Sequence, residues 1–315
     1  MLDFNNQFYK LKKTKESEEQ TNLAVWLINN YINIASNLFK YKGLEVFGED
    51  ITSEIVERGY MFNGVNVAFK DKNLGLLCLP AMASSKLNVY GIPQQYNAVG
   101  YNGKTWNLST DTAVLLRNNG TFSPDLPLIV YYCERIADCE MAIKTNINVN
   151  KMPFALSGDA DQLLTMKNII KKVTGNEIAL YMPKKLKSVA GDPVECKTLN
   201  TGAEYLADKM NDSKLDYVSS LLTYLGIDNV SVEKRERLNT TEAGANDEHI
   251  KSNLYLKLKC RKEDWDKVNK MFGTNVQVEI NYDFIENLKY EMEDKLNKEG
   301  ADNEWVHNGT KRSST

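Results

Sequence analysis

Two stretches of helical apolar spacing, separated by a lysine-rich insert, constrain the fold of this chain more than anything else in it. Ser123-Pro124-Asp125 reads as a helix start with Pro127 in the first turn. Ile129, Tyr132, Cys133, Ile136, Cys139 and Ile143 then follow on one face to about Asn146. The second stretch runs from about Thr201 to Leu225. Its face is Leu206, Met210, Val218, Leu221, Leu222 and Leu225, and Gly226 is its stop. About 25 residues rising 1.5 Å each make a rod of roughly 37 Å. Two such rods with an insert between them predict a stem carrying a knob at one end, with β material from before and after meeting at the other. That is an elongated, discontinuous α+β architecture, unlike a compact enzyme domain.

The remaining segments fill in this frame. Residues 1–21 are polar and of mixed charge, a flexible arm. In residues 22–122, Leu23, Trp26, Leu27, Ile34 and Leu38 predict a helix to about Tyr41, ended by Gly43. A helical turn is expected at 54–59, and from Gly59 the period changes to two. Asp71-Lys72-Asn73 reads as a turn, and Asn102-Gly103 as a tight hairpin. The stem helix occupies 123–150, the insert 151–197 and the second long helix 198–228. The insert should hold a helix from Gln162 to Val173 and a short strand at 177–182. From Lys151 to Lys187 its lysines are Lys151, Lys167, Lys171, Lys172, Lys184, Lys185 and Lys187, opposed over that stretch only by Asp159, Asp161 and Glu177. Residues 229–250 are poor in apolar groups and read as a long loop. In 251–283, Leu254, Leu256, Leu258 and Cys260 alternate as a strand, Glu263–Phe272 reads as a helix, and Val276, Val278, Ile280 and Tyr282 alternate again, a βαβ unit. Residues 284–315 are expected to form a C-terminal helix and tail.

The search for chemistry finds little. Two histidines, His249 and His307, cannot build a His-rich metal centre. The five cysteines form no CxxC pair, so no zinc site is expected. No apolar run approaches the ~18 residues of a membrane span, and no signal peptide is expected at the N-terminus. Residues 191–198 approach the phosphate-loop pattern, but Cys196 replaces its second glycine, and Asp192 and Glu195 put negative charge where phosphate should sit. Asp159 with Asp161, and Asp247, Glu248 and His249, are the only clusters from which a metal-dependent nuclease could be built. Each has a simpler explanation, the first as a helix start and the second as a loop without rigid support. No catalytic residue, metal site or cofactor is expected, which points to a structural protein. The formal net charge of −3 argues against a tight, free nucleic-acid binder.

Residues 225–283 carry a more specific signal. Leu225-Gly226-Ile227, Asn229, Glu233-Lys234, Glu236-Arg237, Asn246-Asp247-Glu248, Asn275-Val276 and Tyr282-Asp283 occur there in an order and spacing that resemble the upper collar protein of small short-tailed bacteriophages with protein-primed genomes. This is the head–tail connector, or portal. Tyr31–Phe39 resembles the first helix of that family, and the helix–insert–helix order matches. The resemblance implies a dodecameric ring at a capsid vertex, through which double-stranded DNA is packaged and ejected. It makes the insert a clip facing the packaging ATPase motor, which works with RNA in the family. It makes the β material a wing in the shell, and residues 229–250 a tunnel loop. It further implies contacts with the capsid protein and the lower collar and tail proteins, a place in the virion after synthesis in the host cytoplasm, and no membrane. Lys197 and Lys209 match two channel lysine rings, and Lys234, Arg235 and Arg237 join them from the tunnel loop. The motor-facing set is Lys167, Lys171, Lys172, Lys184, Lys185 and Lys187. A non-portal ring-forming tail adaptor is an alternative, as is the nuclease. Unlike the family's basic arm, Lys10, Lys12, Lys13 and Lys15 here are offset by Glu16, Glu18 and Glu19, so RNA contact is not carried over to this arm.

Overall fold

The computed structural model describes residues 18–83, 86–151, 154–157, 195–198, 205–227 and 240–291. Described residues up to Glu134 and from Val218 onward form one compact unit, and those within Arg135–Tyr217 form a second.

The first unit begins with helix α1 (Glu18–Ser36), shorter than the expected helix to Tyr41. Phe39 and Tyr41 are buried and Lys40 and Lys42 exposed, a period of two, and they form strand β1 (Phe39–Lys42) instead. Its partner is β9 (Gln277–Ile280), antiparallel, with Phe39 opposite Ile280. A 3₁₀ turn at Leu44–Phe47 follows. Helix α2 (Ser53–Asn63) is capped by Thr52, whose side chain accepts the Ile55 N–H. It absorbs residues expected to begin a strand, because Val56, Glu57, Tyr60 and Met61 are buried at helical spacing. It stops at Gly64, with φ +74°, where a Cβ would lie 2.2 Å from the Phe122 carbonyl oxygen.

The expected β segment is an antiparallel sheet of five strands in the order β5-β4-β3-β2-β6. These are β2 (Val65–Asp71), β3 (Gly75–Ala83), β4 (Gln95–Val99), β5 (Thr105–Ser109) and β6 (Ala113–Arg117). Val67, Phe69, Ala81, Tyr96 and Ala98 form its core. The turn at Asp71 is as expected, with its carboxylate accepting the N–H groups of Asn73 and Leu74. The Trp106 indole N–H and those two amides hold Asp71 down to about 2. The β4–β5 hairpin also forms, but through residues 100–104, closed by the Gly100 N–H to the Lys104 carbonyl, with Gly103 at φ +83°.

Helix α3 (Leu126–Lys151) starts where the Ser-Pro-Asp signal placed it and runs past Asn146. Helix α4 (Ala207–Leu225) ends as expected at Gly226. There the N–H groups of Gly226 and Ile227 bond back to Thr223 and Leu222, a Schellman stop. In the second unit the two helices run antiparallel: Lys214 Nζ donates to Glu140 at 2.9 Å, and the Leu206 N–H to the Asn146 side chain at 3.1 Å. The insert opens on a two-stranded antiparallel ladder, β7 (Phe154–Ser157) with β8 (Glu195–Thr198). The helix expected at 162–173 and the strand expected at 177–182 lie outside the described residues.

The largest departure is helix α5 (Thr240–Phe272), 33 residues long. It takes in the second half of the expected loop 229–250 and the whole first strand of the expected βαβ unit, so no such unit exists. The physical reason lies on the helix's inner face. Leu254, Lys257, Leu258, Arg261, Asp264, Trp265 and Val268 are all buried, while Leu256 is 60% exposed. The interior charges at 257, 261 and 264 broke the apolar pattern that marks a helix and left Leu254, Leu256 and Leu258 to imitate a strand. The strand after it is real, with Val278 and Ile280 buried alternately, and residues 282–291 are helical.

Candidate functional site

Lys209 occupies the first turn of α4 and is exposed. A cation there opposes the helix dipole, which favours the neighbouring Asp208. Helix stability therefore does not explain Lys209. Lys197 lies on β8 opposite Ala155, in the same unit as Lys209. Lys234, Arg235 and Arg237 lie outside the described residues, as do Lys167, Lys171, Lys172, Lys184, Lys185 and Lys187.

The alternative chemistries fare poorly where they can be placed. Glu195–Thr198, the end of the phosphate-loop-like run, is a paired strand rather than the loop-to-helix turn that aims amides at phosphate. Asp247, Glu248 and His249 are consecutive positions of α5, spread about 100° apart around its axis rather than gathered on one face. Asp159 and Asp161 lie outside the described residues. Burial pushes the thiols of Cys78 and Cys133 up to about 12, which keeps both protonated at neutral pH.

Sequence reading missed the dominant polar feature, an ionic stripe along α5 at positions 257, 261 and 264. The Arg261 guanidinium is bidentate to Glu57, Nε to Oε1 at 2.8 Å and Nη2 to Oε2 at 2.7 Å. Its other donors meet the Asn118 carbonyl at 3.0 Å, the Asn118 side chain at 3.0 Å and the Lys257 carbonyl at 3.2 Å. All five N–H groups are thus satisfied. The Phe39 and Tyr60 rings stand 4.3 and 4.6 Å from its carbon. Burial alone would lower the Arg261 pKa, but the Glu57 carboxylate outweighs it and the net shift is upward. Tyr41 donates to Glu57 as well. Burial and that carboxylate hold its hydroxyl well above the ordinary range.

Lys257 Nζ meets Asp125 at 2.9 Å, and the Tyr224 hydroxyl donates to the other Asp125 oxygen at 2.5 Å. Burial pushes the Asp125 carboxyl up, but the Lys257 charge and these donors prevail and leave it lowered. Asp264 takes both Arg117 Nε and Nη2 at 2.8 Å and Lys267 at 2.7 Å. Asp125 immediately precedes α3 and Tyr224 lies in the last turn of α4, so one carboxylate ties these ends of both long helices to α5. The sequence signal was available: Lys257, Arg261 and Asp264 recur at i, i+4 and i+7, in phase with Leu254, Leu258, Trp265 and Val268.

The described residues thus show paired, buried charge along α5 and an exposed lysine at the start of α4. The Phage Connector (GP10) family matches residues 8–285. Among solved structures, the chain is similar to one in the portal and tail of native bacteriophage P68, with 17% identity, 82% of this chain and 86% of that one covered, and a TM-score of 0.43. An HK97 family phage portal protein from Corynebacterium diphtheriae shows 11% identity over 84% of this chain and 94% of that one, with a TM-score of 0.45. A chain in the virion of the native gene transfer agent particle shows 10% identity over 93% and 87%, also with a TM-score of 0.45. The match over residues 8–285 spans most of the sequence, and by it this chain belongs to the phage connector family.

Proposed function

We propose that twelve copies of this chain form a ring at one vertex of a phage capsid, and that double-stranded DNA enters and leaves through its channel. The observation that carries the reading is the family match over residues 8–285. As a connector, the chain is a structural subunit of the phage particle, joining head to tail. In this reading it has no enzymatic activity of its own. The capsid shell and the lower collar and tail bind its outer surfaces, and the packaging ATPase docks at the clip, residues 151–197. Lys197, Lys209, Lys234, Arg235 and Arg237 face the channel, and the insert lysines face the motor.

Physical support comes from charge. A conduit must not hold its cargo, and a subunit of net charge −3 suits that task. Lysine rings repeated by symmetry attract phosphate without reading bases. At physiological salt their field decays over about 8 Å, so DNA is centred rather than clamped. Of the residues 229–250 assigned to the tunnel loop, 240–250 belong to α5.

Electron microscopy and native mass measurement of the purified chain test the reading. Closed rings of one copy number with an open axial channel are the expected result. A chain that stays monomeric at every concentration would refute it. Magnesium-dependent cleavage of duplex DNA would transfer the reading to the nuclease.

A further inference from the structure

We propose that the β3–β4 loop, residues 87–92, is a docking finger that seats in a groove beside β6 and α5 of a neighbouring copy of this chain. The proposal rests on the ring assembly proposed above. The sequence has no charged residue between Lys86 and Lys104, although charged residues make up 26% of the chain. This stretch is not hidden. Val89 is 93% exposed, Tyr90 85% and Leu87 54%. Clustered exposure of large apolar groups marks an interaction surface rather than ordinary loop composition.

The loop is also stiff. The Asn88 side chain accepts the N–H groups of Tyr90 and Ile92, each at 2.9 Å. The Asn88 N–H donates to the Ile92 carbonyl at 2.9 Å, and the Gly91 N–H returns to the Asn88 carbonyl at 3.0 Å. Leu87 bridges Pro93 below them. A finger ordered before docking loses little entropy on binding. Its composition, aromatic and aliphatic with no charge, is that of protein interface cores. It offers nothing to the phosphates of nucleic acid or lipid.

The chain itself supplies a matching recess. A groove of about 340 Å³ is lined by Tyr96, Ala113, Leu115, Phe122 and Met271 on its apolar side and by Arg117, Asp264 and Lys267 on the other. Those charges are already paired with one another, so a neutral finger strands none of them. The Lys267 side chain is 57% exposed, and its ammonium has donors to spare for the Tyr90 hydroxyl. Ile92 of the recipient forms one wall of the groove. Finger and groove therefore adjoin on each copy, and a finger passed from each copy to the next would make the head-to-tail contact that a ring requires.

Two measurements on the full chain decide it. With Tyr90→Cys and Met271→Cys together, mild oxidation should yield covalent multimers at least about tenfold above either single substitution, which controls for the natural cysteines. With Val89→Asp and Tyr90→Asp, the concentration for half-assembly should rise at least about tenfold, the lower end of what losing an interface anchor costs. Unfolding of the unassembled chain should not change, because both side chains are exposed. Rings that form at the wild-type concentration with the Asp pair would overturn the proposal. So would rings without the 90–271 crosslink, which would mean that the finger faces a different protein. A wild-type chain that never assembles would overturn the ring as well, and is told apart because no wild-type ring is then seen.

Discussion

Replacing Arg261 with methionine removes the guanidinium and keeps much of the side-chain volume. Glu57 is then left buried, with its carboxylate facing only the Tyr41 hydroxyl in place of a bidentate partner. Breaking a buried pair by removing one partner costs about 3–5 kcal/mol. The Arg261 side chain is 1% exposed and that of Glu57 4%, so solvent screening does not discount this figure. For a body of this size, about 1 kcal/mol moves the midpoint by roughly 2–4 °C. Arg261→Met should therefore lower the melting temperature by about 6–20 °C. The assay is thermal and urea unfolding at fixed protein concentration, because assembly itself adds stability. Glu57→Leu should cost a similar amount by stranding the guanidinium. The double variant should recover most of the loss, since an apolar pair of similar volume often replaces a buried ion pair at little cost. Strictly additive single effects, or a loss under about 1 kcal/mol for Arg261→Met, would refute the claim that this pair is a coupled, desolvated unit.

Other consequences are simpler to test. Asp125→Asn should destabilise the chain at neutral pH. The folded-state pKa of Asp125 is lowered, so its contribution is full above the ordinary value of about 3.9. It fades as pH falls through the lower folded value, and the gap between wild type and variant in pH-dependent unfolding should close there. Lys209→Ala should leave unfolding unchanged or improve it by up to about 1 kcal/mol, because it relieves the opposed dipole. The same change should flatten the salt dependence of DNA association; a loss of ring stability would instead place Lys209 in a subunit contact. Gly226→Ala should cost about 2 kcal/mol or more by chemical unfolding, from the left-handed backbone at φ +86° and a Cβ placed 2.7 Å from that of Leu254.

What the sequence revealed depended on whether apolar groups alone marked the buried face. Helix α4 was legible because Leu221, Leu222 and Leu225 carry its inner face and Gly226 stops it. The start of α3 was legible from Pro127 and Asp125, the sheet from alternation, and β9 from Val278 and Ile280. Helix α5 was not, because three of its buried positions are Lys257, Arg261 and Asp264. Each becomes a core residue only through a partner far away in sequence: Asp125, Glu57 and Arg117. No local pattern contains that information. The end of α1 failed for a related reason. Leu38–Tyr41 can continue a helix or alternate as a strand, and the choice was made by β9, more than two hundred residues away. Lys209 was singled out through family resemblance alone, and periodicity reads it as a surface lysine.

The buried pairs also change what the net charge means. Lys257, Arg261 and Arg117 are each matched by a carboxylate within 2.9 Å. Such pairs contribute almost nothing to the field outside the protein. They hold α5 to α2, to the start of α3 and to the end of α4. In the proposed channel any field on DNA would then come from exposed cations, and among the described ones Lys209 stands where helix electrostatics disfavour it. A chain that pairs its interior charges and balances its exposed cations with exposed carboxylates can be close to neutral overall and, in the proposed ring, still line a passage for a polyanion. Raising the exposed positive charge would increase affinity and, with it, the friction on moving DNA. In a ring every such change is multiplied by the copy number, so a single added lysine on the exposed face of α4 near Lys209 should slow DNA passage far more than it changes the binding of one subunit.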